Sequence, residues 1–421
     1  MTKPAHQTSK APNIRRSLTQ LGGEVDVWCN DANVADVLTS ALSVDVNDVE
    51  PMRHVHGFHS YPARMHPDTA ARLILGLTEP GQVVLDPFSG SGTVLVEARI
   101  LGRVAFGVDA NPLAVALSTL KLNGIKNENE AEGLLATAAA IAEFADERRF
   151  GKAKPSKRYD VAQRALFPPH VLLELDGISL GINELCPESM KPVLKLVVSS
   201  LLTKVSHRRS DTSEQQQTRR LASGFTIRFF EKKTQELVRR LTEYSRLVPK
   251  QSLKMGVKLG DARKLPMNDR RANAIITSPP YPGVYDYVEH HRLRLDWLGF
   301  DAKHLEKNEI GAHRHFSLSR PEDAEAKWAE QLGACLDEMR RVLVPNAIAA
   351  LLIADSVVAR RAFYADRALC QLAPTRGLRV VGGASQERGH YHAPTRDAFR
   401  GAPRREHLIL LTPSAIPPRP R

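Results

Sequence analysis

From residue 69 onward, apolar positions fall into blocks of two alternating kinds. Residues 69–77 space them for one helix face and stop at Glu79-Pro80-Gly81, while 82–86 (QVVLD) are short and continuous, as in a buried strand. After a glycine-rich turn, 93–101 repeat the helical pattern, 104–109 (VAFGVD) form a second strand block, and 113–122 the next helix. Strands alternating with helices across short turns predict a parallel sheet covered on both faces. Upstream, residues 1–15 read as a disordered tail. Residues 18–50, with Val34, Val37, Leu38 and Leu42 at helical spacing, read as one or two lead-in helices.

The alternation breaks after 124. Residues 134–144 are alanine-rich and helical, 152–158 form a basic, proline-containing linker, and 170–205 and 225–248 carry helical periodicity. Between the last two lies 206–224 (SHRRSDTSEQQQTRRLASG), which has no apolar period and predicts an exposed loop. Strand blocks resume at 255–259, 272–277 (ANAIIT), 347–354 (AIAALLIA), 378–381 and 407–411 (HLILL). The expectation is an α/β, Rossmann-like, seven-stranded and mostly parallel sheet. One domain would span 16–124 and 255–415, interrupted by a basic, mainly helical insertion at 125–254.

Composition adjusts this picture in three ways. A 421-residue chain with 42% hydrophobic residues can bury a full core and a large insertion. Cys29, Cys186, Cys335 and Cys370 lie far apart without a CxxC pair, which argues against a disulfide framework or zinc site. With no apolar leader at the start and no run approaching a membrane span, a cytoplasmic protein without a membrane partner is expected. The net charge of +12 suits a polyanion, and it is concentrated: residues 145–254 hold 22 lysines and arginines against 12 acids.

Candidate chemistry gathers at two turns. Asp86-Pro-Phe-Ser-Gly-Ser-Gly-Thr93 joins a strand to a helix, and its glycines let backbone N–H groups approach a ligand. The turn has neither GxGxxG nor GK[ST] spacing, so a pyrophosphate is not its obvious ligand. It opens instead with an acid, Asp86, suited to an amino-acid ammonium. Asp109 ends the next strand, where a carboxylate can accept both ribose hydroxyls, and Asn111 before Pro112 can cap the following helix. An amino acid and a ribose together describe S-adenosylmethionine.

The second turn is Thr277-Ser-Pro-Pro-Tyr281, at the carboxyl end of an apolar strand. Two prolines remove two N–H donors, so Ser278 and the Pro279 carbonyl can accept both protons of an amine. Tyr281 offers a face for stacking against an extruded base.

These motifs resemble the amino-methyltransferase family of DNA modification enzymes, which form N4-methylcytosine or N6-methyladenine. The resemblance rests on FHSYPARMHP (58–67), DPFSGSGT (86–93), GVDANP (107–112) and TSPPY (277–281), and does not cover 123–254. It implies a class I methyltransferase fold and S-adenosylmethionine as cofactor. The methionine part would meet Asp86, Pro87, Phe88, Gly90, Gly92 and Thr93, the ribose would meet Asp109 beside Asn111, and the adenine amine would meet Asp261. The segment from Phe58 through Tyr61 to Pro67 would lie across the methionine end. Ser278, Pro279, Pro280 and Tyr281 would form the catalytic turn, with serine in first place leaning toward cytosine N4. In this chain the cofactor turn precedes SPPY, whereas many N4-cytosine enzymes run in the other order.

Double-stranded DNA is the expected partner, with a cognate restriction endonuclease as a possible companion and a nucleoid association when bound. Arg208, Arg209, Arg219, Arg220, Lys232 and Lys233 are the candidate backbone contacts, with Arg239 and Arg240 beyond them and 285–292 as a second segment near the base. No metal is expected: His290 and His291 lack a matching third ligand. Carbon-5 methylation is disfavoured, because the chain has no Pro-Cys dipeptide and Cys186-Pro187 is reversed. Adenine N6, guanine N2 in RNA and an inactive nucleic-acid-binding homologue are the alternatives.

Overall fold

A computed structural model describes residues 24–44, 52–212, 216–251, 253–312, 320–389 and 393–414; the tail expected at 1–15 lies outside them. The strands are β1 Val25–Cys29, β2 Val83–Asp86, β3 Val104–Asp109, β4 Met255–Leu259, β5 Ala272–Thr277, β6 Leu343–Ala354, β7 Ser356–Val358, β8 Arg361–Phe363, β9 Leu378–Glu387 and β10 Arg405–Pro413. Eight of them form one sheet in the order β1-β9-β10-β6-β5-β2-β3-β4, and β7 and β8 make a separate hairpin. Neighbours from β6 through β5, β2 and β3 to β4 run parallel, and β10 is antiparallel to both β6 and β9. Apart from β1, this is the class I methyltransferase arrangement.

The eighth strand corrects the helical expectation for 18–50. Only Ala32–Leu42 (α1) is helical among the described residues there, with Asp31 accepting from Asn33 and Val34 N–H groups as its cap. Val25–Cys29 alternates in burial and pairs antiparallel with β9. The pairing depends on Gly383, where a Cβ would sit 2.4 Å from the Trp28 ring.

Helices α2 Pro67–Leu77, α3 Thr93–Ile100 and α4 Pro112–Asn123 follow the sequence pattern. The 125–254 segment folds as α5 Glu128–Phe150, α6 Val161–Leu166, α7 Pro169–Leu185, α8 Lys191–Val205 and α9 Phe225–Leu247. These helices pack onto the sheet domain through α4 and share its core. Leu134, Leu175, Leu201 and Leu237 share one buried cluster with Leu113 and Leu117 of α4 and Leu295 of α10 (Tyr287–Leu298). Two buried carboxylates pin its loops: Glu174 accepts from the Gly224 and Thr226 N–H groups at the start of α9 (2.6 and 2.9 Å). Asp176 accepts from Ser156 N–H and the Tyr159 hydroxyl (2.9 and 2.7 Å). Helices α11 Lys303–Asn308, α12 Pro321–Val342, α13 Ala365–Thr375 and α14 Ala393–Ala398 complete the described fold. None of the helices among the described residues is long and apolar enough to cross a membrane.

Candidate active site

The carboxyl ends of β2, β3, β4 and β5 converge on one cavity with two lobes that share Tyr61, Ala63, Phe88, Gly90 and Ser278. The first lobe is further lined by Pro87, Asp109, Asn111, Asp261, Pro280, Tyr287 and residues 308–310; the second by Asp86, Ser89, Ser91 and Thr93. Residues from both motif turns therefore face one space.

Backbone geometry builds the glycine turn. Gly90 and Gly92 take left-handed φ of +48° and +81°, where a side chain is strained. A Cβ on Gly92 would also meet Ser118 Oγ at 2.9 Å, and one on Gly90 would press on the Tyr61 ring at 3.3 Å. Gly92 leads into α3, so its neighbours offer N–H groups at a helix N-terminus.

Asp86 Oδ1 accepts from the Thr277 hydroxyl at 2.6 Å and from Phe88 N–H at 3.1 Å. Thr277 immediately precedes Ser278, so this bond fastens the SPPY turn to the glycine turn. Burial pushes the Asp86 carboxyl up to about 7, against the opposing pull of its Thr277 and Phe88 bonds. Asp109 uses both oxygens on backbone, accepting from Gly90 N–H at 2.7 Å and Asn111 N–H at 2.8 Å, and burial raises it to about 6. Asn111 caps α4 by accepting from Leu113 N–H at 3.0 Å, while its amide lies 3.3 Å from the Tyr61 hydroxyl and 2.8 Å from His291 Nδ1. Asp261 is held by Arg263, whose guanidinium lies 2.9 Å from its carboxylate.

The donor set fits a cationic amino acid joined to a nucleoside. Buried acids with raised proton affinity gain most from a bound ammonium. The Ser89 and Ser91 hydroxyls in the second lobe are buried without a hydrogen-bond partner among the described residues. Two expected cofactor contacts, Phe58 and Gly92, are not on the cavity lining. Phe58 is in the insertion-side core under the Lys233 ammonium, 5.6 Å from its ring, and does not line the cavity. Tyr61, three residues on and past the turn at 54–57, does line it.

Tyr281 departs in the same manner. Its ring is buried among core residues and its hydroxyl lies 3.2 Å from Ser278 Oγ, so the stacking face expected of it is turned from the cavity. Pro279 also lies off the cavity wall, whereas Ser278 and Pro280 are on it. The rings that face the cavity are those of Tyr61, Phe88 and Tyr287. Tyr287 belongs to the 285–292 segment singled out by its place after SPPY. Asn308, Glu309 and Ile310 carry no sequence signal and were missed.

The basic candidates divide by environment. Lys233 pairs with Glu236 (2.7 Å), and Arg240 pairs with Glu236 (2.8 Å) and donates to the Met52 and His54 carbonyls (both 2.7 Å). Both fasten α9 to 52–58. Arg219 donates to the Ser206 carbonyl at 3.0 Å, Arg208 is half-buried, and Arg239 pairs with Glu243. Arg209, Arg220 and Lys232 are exposed. The 206–212 loop is tied to the site through Asp211, which binds the buried Arg294 of α10 at 2.9 Å and the Ser60 hydroxyl at 3.0 Å. Burial would raise Asp211, but Arg294 outweighs it and holds the carboxyl well below its usual range.

The sheet order is that of a class I methyltransferase fold, and the cavity lies at the carboxyl edge of its parallel strands. Residues 4–119 match the family model described as DNA methylase. The chain is 27% identical over 263 residues to the type II methyltransferase M.MvaI of Kocuria varians, covering 58% of this chain and 57% of that protein. It is 24% identical to M.BsoBI of Geobacillus stearothermophilus, covering 60% and 54%. Over a shorter stretch, 21% of this chain and 26% of the relative, it is 33% identical to M.BglII of Bacillus subtilis. The chain thus spans about half the length of the first two. Among solved structures, a methyltransferase of Methanosarcina mazei aligns with 81% of this chain and 97% of its own at 10% identity and a TM-score of 0.33.

Proposed function

We propose that this chain methylates the exocyclic amine of a base in DNA, with cytosine N4 as the acceptor. The observation that carries the reading is the position of Ser278, on the wall common to both lobes and fastened through Thr277 to Asp86. S-adenosylmethionine supplies an electrophilic methyl group. Asp86 and the glycine turn hold its amino-acid end, Asp109 its ribose, and Asp261 its adenine. Ser278 Oγ, on the cavity wall, accepts a hydrogen bond from the incoming amine and aims its lone pair at the methyl carbon. No covalent bond to the base is required, so catalysis consists of alignment and of stabilising charge on the amine.

Serine rather than aspartate or asparagine at 278 favours cytosine over adenine. The type II relatives favour DNA as polymer, and exposed Arg209, Arg220 and Lys232 are the phosphate contacts best placed by their environment. Extrusion of the base would set it against the Tyr287 or Tyr61 ring. Mass spectrometry of nucleosides from unmethylated DNA incubated with the protein and cofactor tests this reading. N4-methylcytosine supports it; N6-methyladenine would reassign the base, and no methylated nucleoside would refute the activity.

A further inference from the structure

Behind the SPPY turn lies a buried polar chain that the reaction as described does not use. Tyr281 Oη donates toward Glu406 Oε1 across a long 3.5 Å contact. Glu406, at the start of β10, is buried and ion-paired with equally buried Arg388, whose Nε lies 3.1 Å from Oε2. Arg388 donates in turn to Gln386 Oε1 at 2.7 Å. The carboxylate, the guanidinium and the tyrosine hydroxyl are thus stacked in a row that ends on Ser278.

Counting protons gives this row a direction. A phenol has one hydrogen, and an ionised carboxylate can only accept. With its hydrogen committed to Glu406, Tyr281 can meet Ser278 only as an acceptor, so the serine hydroxyl hydrogen points inward to Tyr281. The serine lone pairs are then left facing the cavity. Without Glu406, both hydroxyls could reverse and Ser278 could present a hydrogen to an amine that also brings hydrogens, a mismatched pair.

We infer that Glu406, held by Arg388, is a positioning residue that sets Ser278 as a hydrogen-bond acceptor toward the substrate amine. The inference rests on the proposed role of Ser278. Paired charges of this kind are costly to bury and contribute little net stability, so a directional role accounts for a pair that packing alone does not require.

The test is a double-mutant cycle on the full chain, read as single-turnover transfer of labelled methyl to polymerase-copied random-sequence DNA. Glu406→Gln is expected to slow transfer about tenfold while cofactor affinity by calorimetry is unchanged. In a Tyr281→Phe background, the same change should cost less than about twofold, because the hydroxyl through which it acts is gone. Should the lone Arg388 charge unfold the single variant, Glu406→Gln with Arg388→Met removes both charges and is expected to show the same loss. Wild-type rates in the Glu406 variants, or an undiminished loss on top of Tyr281→Phe, overturn the inference. Ser278→Ala distinguishes the two levels. Full activity there removes the acceptor role and this inference with it, whereas a slow Ser278→Ala beside a fast Glu406→Gln removes the positioning role alone.

Discussion

The cofactor edge and the basic face of the insertion both carry dense motifs of charged and polar residues, yet the fold uses them in opposite ways. At the edge, Asp86, Asp109 and Ser278 come from separate strands and turn toward a shared cavity. On the insertion, Lys233, Arg240 and Arg219 turn back into the protein and spend their donors on Glu236 and on backbone carbonyls. A charge excess read along the sequence is therefore a poor count of charges available to a phosphate backbone. At the carboxyl ends of β2 and β3, by contrast, Asp86 and Asp109 both line the cavity.

The sharpest way to break the comparison is at the joint between the two regions. Arg294→Met strands the buried Asp211 carboxylate and is expected to cost about 3–5 kcal/mol in urea denaturation, because an unpaired buried charge remains. A loss near zero would show that the insertion loop is not fastened to the site.

Next in size is the cofactor pocket. Asp86 is largely neutral in the free protein below its raised value of about 7, and a bound ammonium favours the ionised form. Cofactor affinity should therefore rise about tenfold from about pH 6 to about pH 8, and Asp86→Asn should flatten that rise as well as weaken binding. Titration calorimetry across this range checks both; a wild-type profile no steeper than that of the variant would contradict the role of Asp86.

Smaller effects separate the exposed from the half-buried cations. Changing Arg209, Arg220 and Lys232 together to glutamine should weaken DNA binding about tenfold at low salt and reduce the salt slope by about two to three. Lys233→Gln should leave that slope unchanged and lower the melting temperature by a few degrees, since its partners are internal. Fluorescence anisotropy at several salt concentrations ranks the two; equal loss in both would erase the distinction drawn between them.

Sequence pattern located the sheet, the two turns and the acids that fill the cavity, because period-two and period-3.6 blocks and a glycine turn are local properties. It could not tell which residues of FHSYPARMHP or SPPY face inward, and large rings at Phe58 and Tyr281 went to the core, where burial of an apolar ring is worth most. β1 escaped notice because five residues with an acid at position 26 resemble a lead-in to the helix that follows. Part of the basic face was legible after all: Lys233, Glu236 and Arg240 stand at helical i,i+3 and i,i+4 spacing, a pattern that predicts mutual pairing. The 308–310 wall had no such pattern, since its place depends on how α11 folds over the edge.

The central claim is that the two turns divide one reaction between them, the glycine turn holding the cofactor and Ser278 meeting the amine. Single-turnover methyl transfer to DNA by Ser278→Ala, with cofactor affinity measured on the same sample, tests it most directly. The account predicts a rate lower by about a hundredfold or more with cofactor affinity within about twofold of the wild type. A wild-type rate, or a loss of cofactor binding that accounts for the whole defect, would contradict it.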